Sequence, residues 1–223
     1  MTSSNTQTLL LIYRRLYERY GLQHWWPGDS PFEVIVGAIL TQSAAWQNVE
    51  KAIANLKNAG AMSPSAIRDI PQDELAQLIR STGYYNAKAA KLKAFVTWLA
   101  VTYNNNLEKM FAIDTGSLRS ELLAVHGIGP ETADSILLYA GDKPVFVIDA
   151  YTRRIISRLG LASAVDSYDG YQAFFTANLP LDTRLFNECH ALIVRHAKEC
   201  CRKQPVCCNC CLKDICRFEV IQG

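Results

Sequence analysis

The sequence predicts an all-α protein, and three observations carry that expectation. Apolar residues recur at helical spacing along most of the chain. The segments between them are short and rich in Gly, Pro, Asn or Asp. Only Val145–Ile148 forms a β-branched run, and it is too short to anchor a sheet. At 223 residues the chain can bury a core in one or two domains, and it carries neither internal repeats nor low-complexity linkers.

Residues 7–20 form an amphipathic helix with Leu9, Leu10, Ile12, Tyr13, Leu16 and Tyr17 apolar, closed by Gly21. The loop from Gln23 to Pro31 sets Trp25 and Trp26 beside Pro27, where the indoles serve either as core anchors or as flat faces for a base. Pro31 opens an apolar helix from Phe32 to Leu40 that runs into polar Thr41-Gln42-Ser43, and a further helix starts at Trp46 with Val49, Ile53 and Leu56 inward. Asp73 to Arg80 make a short helix. Gly83, Tyr84 and Tyr85 then turn the chain sharply into a long helix reaching Tyr103. Lys88 and Lys91 are expected on its solvent side, either simply hydrated or touching phosphate. Further helices cover Leu118 to Ala124, the stretch from Asp149 to Arg158, Tyr168 to Ala177 and Arg184 to Lys198.

The stretch from Leu122 to Ala140 organises the rest. It reads as a helix, a very tight turn at His126-Gly127-Ile128-Gly129, and a second helix with Pro130 at its first position. Gly127 and Gly129 are expected to adopt angles closed to other residues and to expose their N–H groups. Ala133, Ile136, Leu137 and Ala140 give the second helix a buried face. Unpaired amides at the positive end of a helix suit an anion such as a phosphate; a plain helix–helix connection is the alternative. After the hairpin, Asp149 ends the apolar run and can cap the following helix.

A net charge of only +2 confines any nucleic-acid footprint to a local patch. No apolar stretch approaches the roughly 18 residues of a membrane span, and Met1-Thr2-Ser3-Ser4-Asn5 lacks a signal-peptide pattern, so a cytoplasmic protein is expected. All eight cysteines lie between Cys189 and Cys216. Crowded thiols in one short segment cannot staple distant parts of a chain, so they point to a metal site. Cys207, Cys210 and Cys216, preceded by Cys200-Cys201, have the dense spacing of an iron–sulfur site, with a four-thiolate zinc as the rival.

The hairpin, Asp149 and the cysteine spacing together resemble the helix-hairpin-helix DNA glycosylases of the endonuclease III type, over nearly the whole chain. The resemblance implies two helical lobes, residues 26–143 and residues 1–25 plus 144–223, with DNA across the cleft. It implies that Asp149 is the catalytic carboxylate, that Gln42 enters the gap left by an extruded base, and that Tyr84 is a wedge beside the opposite strand; two tyrosines packed on neighbouring helices are the alternative. Gly127, Gly129, Lys88 and Arg202 are the candidate DNA contacts. The cofactor implied is a [4Fe-4S] cluster on Cys207, Cys210, Cys216 and a first ligand that is either Cys200, by the family's thiol spacing, or Cys201, by its distance from His196. Cys201 is preferred.

Bifunctional relatives carry a Schiff-base lysine where this chain has Glu131, the second candidate catalytic residue. A carboxylate forms no imine, so a monofunctional glycosylase without lyase activity is expected. Trp25, Trp26, Pro27 and Trp46 resemble the base pocket of the 3-methyladenine glycosylase branch, which also has glutamate at the Glu131 position. An indole-lined pocket suits a cationic alkylated purine, by on the order of 1–2 kcal/mol. Members of that branch can lack the cluster, which leaves oxidised pyrimidine or mismatched thymine or uracil as alternative substrates. A non-catalytic DNA-binding protein is a second alternative. The expected partner is double-stranded DNA with a damaged base, bound by a monomer associated with the nucleoid, with an AP endonuclease acting downstream.

Overall fold

The computed structural model describes residues 4–161 and 167–218. In chain order the helices are α1 (Ser4–Tyr20), α2 (Pro31–Leu40), α3 (Trp46–Asn58), α4 (Pro64–Asp69), α5 (Gln72–Leu78), α6 (Tyr85–Tyr103), α7 (Leu107–Phe111), α8 (Thr115–Ala124), α9 (Pro130–Ser135), α10 (Ala150–Arg158), α11 (Tyr168–Asn178) and α12 (Thr183–Glu199). No strand occurs among the described residues, in accord with the all-α expectation; Val145–Ile148 is extended and buried but pairs with nothing as a ladder. The chain divides into two compact units. One takes its two ends, up to Trp25 and from Pro144 onward, and the other is Trp26–Lys143.

The internal unit is built on α2, whose residues from Phe32 to Leu40 are all buried. A helix apolar on every side needs cover on every side. α3, α6, α9 and the π-helical turn Ile136–Ala140 that follows α9 supply it. Ser30 caps α2 by accepting from the Glu33 N–H at 3.2 Å, with Pro31 at its first turn. Two short helices escape the sequence reading, α4 and α7; each rests on a side-chain cap, Ser63 and Asn106 respectively.

At the far end of α2, Lys88 of α6 overturns its expected place. It is 2 % exposed, and its ammonium donates to the carbonyls of Leu40 at 2.9 Å and Thr82 at 2.7 Å. Lys88 is therefore a buried strut and not a phosphate contact: it lies one helical turn before Leu92, on the inward stripe of α6. Burial, aided by neighbouring Lys91, lowers its pKa to about 8. The unfolded chain holds this proton to about pH 10.4, so unfolding takes up a proton between the two values. The penalty is complete below pH 8 and fades as pH rises toward the unfolded value. Urea unfolding of the wild type against Lys88→Met should accordingly shift in favour of the wild type by about 2 kcal/mol from about pH 7 to about pH 10. A difference independent of pH would show that the ammonium is hydrated in the fold.

The terminal unit packs α12 against α10 and α1, with α11 beside α1. Phe146 stacks on Phe175, centroids 3.8 Å apart and 7° from parallel, and meets Phe186 edge-on at 5.3 Å. The extended run before Asp149 is thus pinned by aromatic rings in place of a sheet. Arg154 of α10 donates to the carbonyls of Cys201 (2.9 Å) and Ala197 (3.1 Å), tying α10 to the end of α12.

Candidate functional site

The hairpin lies in the internal unit. α8 stops at Val125, the Ile128 N–H returns to the Val125 carbonyl at 3.1 Å, and α9 starts at Pro130. Gly127 has φ +81°, and a side chain there would run into Lys91. Gly129 does not need glycine's freedom, contrary to the sequence expectation: its φ of −93° and ψ of 176° are open to any residue. A Cβ at Gly129 would meet no protein atom. What glycine provides there is a bare backbone that a ligand can approach closely. The two hairpin helices are clasped by Arg119, which makes paired bonds of 2.7 and 3.1 Å to Asp134, a fully buried carboxylate. Glu131 is exposed in the first turn of α9.

Gln42 is not a solvated helix end. Its amide donates to the Gly127 carbonyl at 3.1 Å and to the Thr132 hydroxyl at 2.8 Å, and its oxygen accepts from the Lys91 ammonium. With its amide engaged by Gly127 and Thr132 of the hairpin and by Lys91 of α6, Gln42 does not extend outward as expected of a gap-filling side chain. The exposed residue of that turn is Ser43, held at φ +53°. Tyr84, by contrast, is 78 % exposed and left-handed at the head of α6.

Among the aromatic candidates, Trp26 meets Trp46 edge-on at 5.3 Å and 87° and lies 5.1 Å from Tyr139. Gly37 makes room for it: a Cβ there would lie 3.1 Å from the indole nitrogen. Pro27 and Trp46 line a surface cavity of about 300 Å³ together with Glu33, Glu50 and Lys57. Tyr139 was missed by the sequence reading because it lies in the π-helical turn, off the register that an α-helix assigns. Trp25 is half-buried and belongs to the other unit.

In the terminal unit, Asp149 caps α10 through its Oδ1, which accepts from the Thr152 N–H at 2.7 Å. Its Oδ2 lies 3.8 Å from Nε2 of His190, and the side chain is 14 % exposed. Burial lowers the His190 pKa and outweighs the attraction of Asp149, so the imidazole is neutral at pH 7 and does not cancel the carboxylate. One oxygen is thus fixed by the helix, and the other lies toward His190.

The cysteine segment follows α12. Cys200, Cys201, Cys207, Cys208, Cys210 and Cys216 line one cavity of about 420 Å³ with Arg158. The Cys201 sulfur accepts from Arg158 at 3.2 Å and the Cys210 sulfur from the Leu212 N–H at 3.4 Å. Cys200 is buried and donates to the Val206 carbonyl at 3.2 Å. Burial and the neighbouring sulfurs push the Cys200 thiol up to about 12, and burial raises Cys210. Thiolates at Cys200 and Cys210 therefore call for a compensating cation, and sulfurs already receiving N–H bonds suit metal ligation. The donor set therefore fits a thiolate-bound metal group, with Cys201, Cys207, Cys210 and Cys216 available to hold it. His196, Cys200 and Cys210 also bring their donor atoms within 4.8 Å of one another. Arg202, expected to face DNA, is exposed and also returns to the end of α12, donating to the carbonyls of Lys198 (3.1 Å) and Glu199 (3.2 Å).

An all-helical fold with a glycine-turned hairpin, a helix-capping aspartate and a cysteine-lined segment defines a class, that of the helix-hairpin-helix repair glycosylases. Residues 36–180 match the HhH-GPD superfamily of base excision DNA repair proteins, and the chain belongs to that superfamily as a DNA glycosylase. It is 45 % identical over 218 residues to a candidate DNA repair glycosylase of Methanocaldococcus jannaschii, covering 97 % of this chain and 99 % of the relative. Endonuclease III of Sulfolobus acidocaldarius is 30 % identical over 188 residues, 84 % of this chain and 82 % of the relative. A structure of endonuclease III trapped covalently on DNA superposes with a TM-score of 0.82 at 22 % identity, covering 97 % of both chains. The 3-methyladenine DNA glycosylase of H. pylori (MagIII), bound to 1,N6-ethenoadenine, gives a TM-score of 0.75 at 28 % identity, covering 88 % of this chain and 98 % of the other. No helix among the described residues is long and apolar enough to cross a membrane.

Proposed function

We propose that this protein is a monofunctional glycosylase that hydrolyses the N-glycosidic bond of an alkylated purine such as 3-methyladenine, flipped out of double-stranded DNA. The observation that carries the substrate class is the aromatic group of Trp26, Trp46 and Tyr139, with Pro27 and the Glu50 carboxylate, which accepts from the Trp46 indole N–H at 2.8 Å. Electron-rich faces and nearby negative charge favour a cationic base over a neutral one of the same shape. The likeness to a 3-methyladenine glycosylase caught with an ethenoadenine supports the same choice.

In this reading the Gly127–Gly129 backbone grips a phosphate, Tyr84 presses on the duplex, and Arg202 adds a phosphate contact. Flipping costs a few kcal/mol and is cheapest at a damaged pair. Positive charge develops on the sugar as the base leaves, and the Asp149 carboxylate stabilises it. Water adds to C1′ and leaves an abasic site and the free base. An alkylated purine is already a good leaving group, so no acid is needed to protonate it. Glu131 contributes no amine, and the product strand stays uncut. Cys201, Cys207, Cys210 and Cys216 hold a [4Fe-4S] cluster, which orders the loop that follows α12. The protein works as a monomer in the cytoplasm and passes abasic sites to an AP endonuclease.

The test is a panel of duplexes containing methylated purines, thymine glycol, or mismatched thymine and uracil, scored for free base before and after alkali, with borohydride present in parallel. The expected result is release of methylpurine, strand breaks only after alkali, and no borohydride-trapped adduct. Release of the pyrimidine lesions alone would overturn the substrate class, and a trapped adduct would overturn the water mechanism.

A further inference from the structure

We propose that Gln42 is a positioning residue that locks the hairpin to the turn after α2, so that the two DNA-facing loops of the internal unit move as one body. The inference rests on the glycosylase reading above. The chemistry of the surroundings fixes the amide's orientation: only its oxygen can accept from the Lys91 ammonium, and only its nitrogen can donate to the Gly127 carbonyl (3.1 Å) and the Thr132 hydroxyl (2.8 Å). Thr132 is buried in α9, while the Gly127 carbonyl belongs to the tight turn itself, so one side chain joins the turn and the second helix of the hairpin to the end of α2. Lys91 completes the joint. Its stem fills the space that a side chain at Gly127 would take, so the missing Cβ at Gly127 and the Gln42–Lys91 bond depend on each other.

This assigns a second task to Gly127. Besides its left-handed angle of +81°, it leaves Lys91 room to reach Gln42. Replacing Gly127 by alanine would push Lys91 off the amide and undo the same joint that Gln42→Met removes. The two substitutions should then fail to add, which independent contributions to binding would not do.

The experiment is equilibrium binding, by fluorescence anisotropy, to a duplex carrying a tetrahydrofuran abasic-site analogue with each natural base opposite in turn. Gln42→Met should weaken binding about tenfold, near what two lost hydrogen bonds account for, and equally for every opposite base. Adding Gly127→Ala to Gln42→Met should weaken binding little beyond Gly127→Ala alone. Lys91→Met and Thr132→Val each remove one partner and should show smaller losses in the same direction, which keeps the proposal testable if Gln42→Met does not fold. A loss confined to particular opposite bases would mean that Gln42 touches the orphaned base, and additive losses would mean that no joint exists; either overturns the proposal. If the unaltered protein does not prefer this duplex to undamaged DNA, the glycosylase reading fails and the joint falls with it. If it does prefer it and Gln42→Met keeps that affinity in full, the joint alone is wrong.

Discussion

Asp149→Asn is expected to slow base release roughly a thousandfold under single-turnover conditions while leaving affinity for an abasic-analogue duplex unchanged. The substitution separates two duties of one side chain. Asparagine keeps an oxygen for the Thr152 N–H, now 2.7 Å from Oδ1, and asparagine caps helices as well as aspartate does. The head of α10 should therefore hold, with a melting temperature within a few degrees of the wild type. What is lost is the negative charge of the second oxygen, and neutral His190 at 3.8 Å cannot replace it. Asp149→Ala removes both duties and should also cost about 1 kcal/mol of stability. Release by Asp149→Asn at the wild-type rate would move the chemistry to another group.

The candidate residues that were legible in the sequence are those where backbone geometry follows from residue type. Pro130 at a first helical turn, Gly127 at a left-handed angle and Asp149 at the head of α10 each do what the residue does in any protein. What stayed hidden depends on tertiary neighbours. Lys88 has the register of a buried residue, one turn before Leu92, but its charge argues for the surface; two carbonyls left over at Leu40 and Thr82 decide the matter. Gln42 reads as a polar helix end until Gly127, Thr132 and Lys91 are folded against it from residues far along the chain. Gly129 resembles Gly127 in sequence, yet only the structure shows that one needs its angle and the other its emptiness. Tyr139 was lost to a π-helical turn, which shifts every following side chain off the α register. The short helices α4 and α7 were signalled only by their caps, Ser63 before Pro64 and Asn106 before Leu107.

Cys210→Ser is expected to abolish metal binding and to unravel the segment after α12, a loss of several kcal/mol by the usual coupling of metal ligation to folding. Of the candidate ligands, Cys210 has the least freedom to be replaced. It lines the cavity and touches the Leu212 N–H, His196 and Cys200. Iron and acid-labile sulfide measured on purified protein, with the visible absorption of thiolate-bound iron, read the outcome directly. The adjacent thiols give the sharper comparison. Cys201 has an N–H from Arg158 directed at its sulfur, as a thiolate ligand requires, whereas Cys200 gives its proton to the Val206 carbonyl. Cys201→Ser should then lose the metal and Cys200→Ser should retain it, and exposed Cys208→Ser should be silent. The reverse pattern would move the first ligand to Cys200. Stoichiometric zinc without sulfide would mean that His196, Cys200 and Cys210, already within 4.8 Å of one another, gather a single ion in place of a cluster.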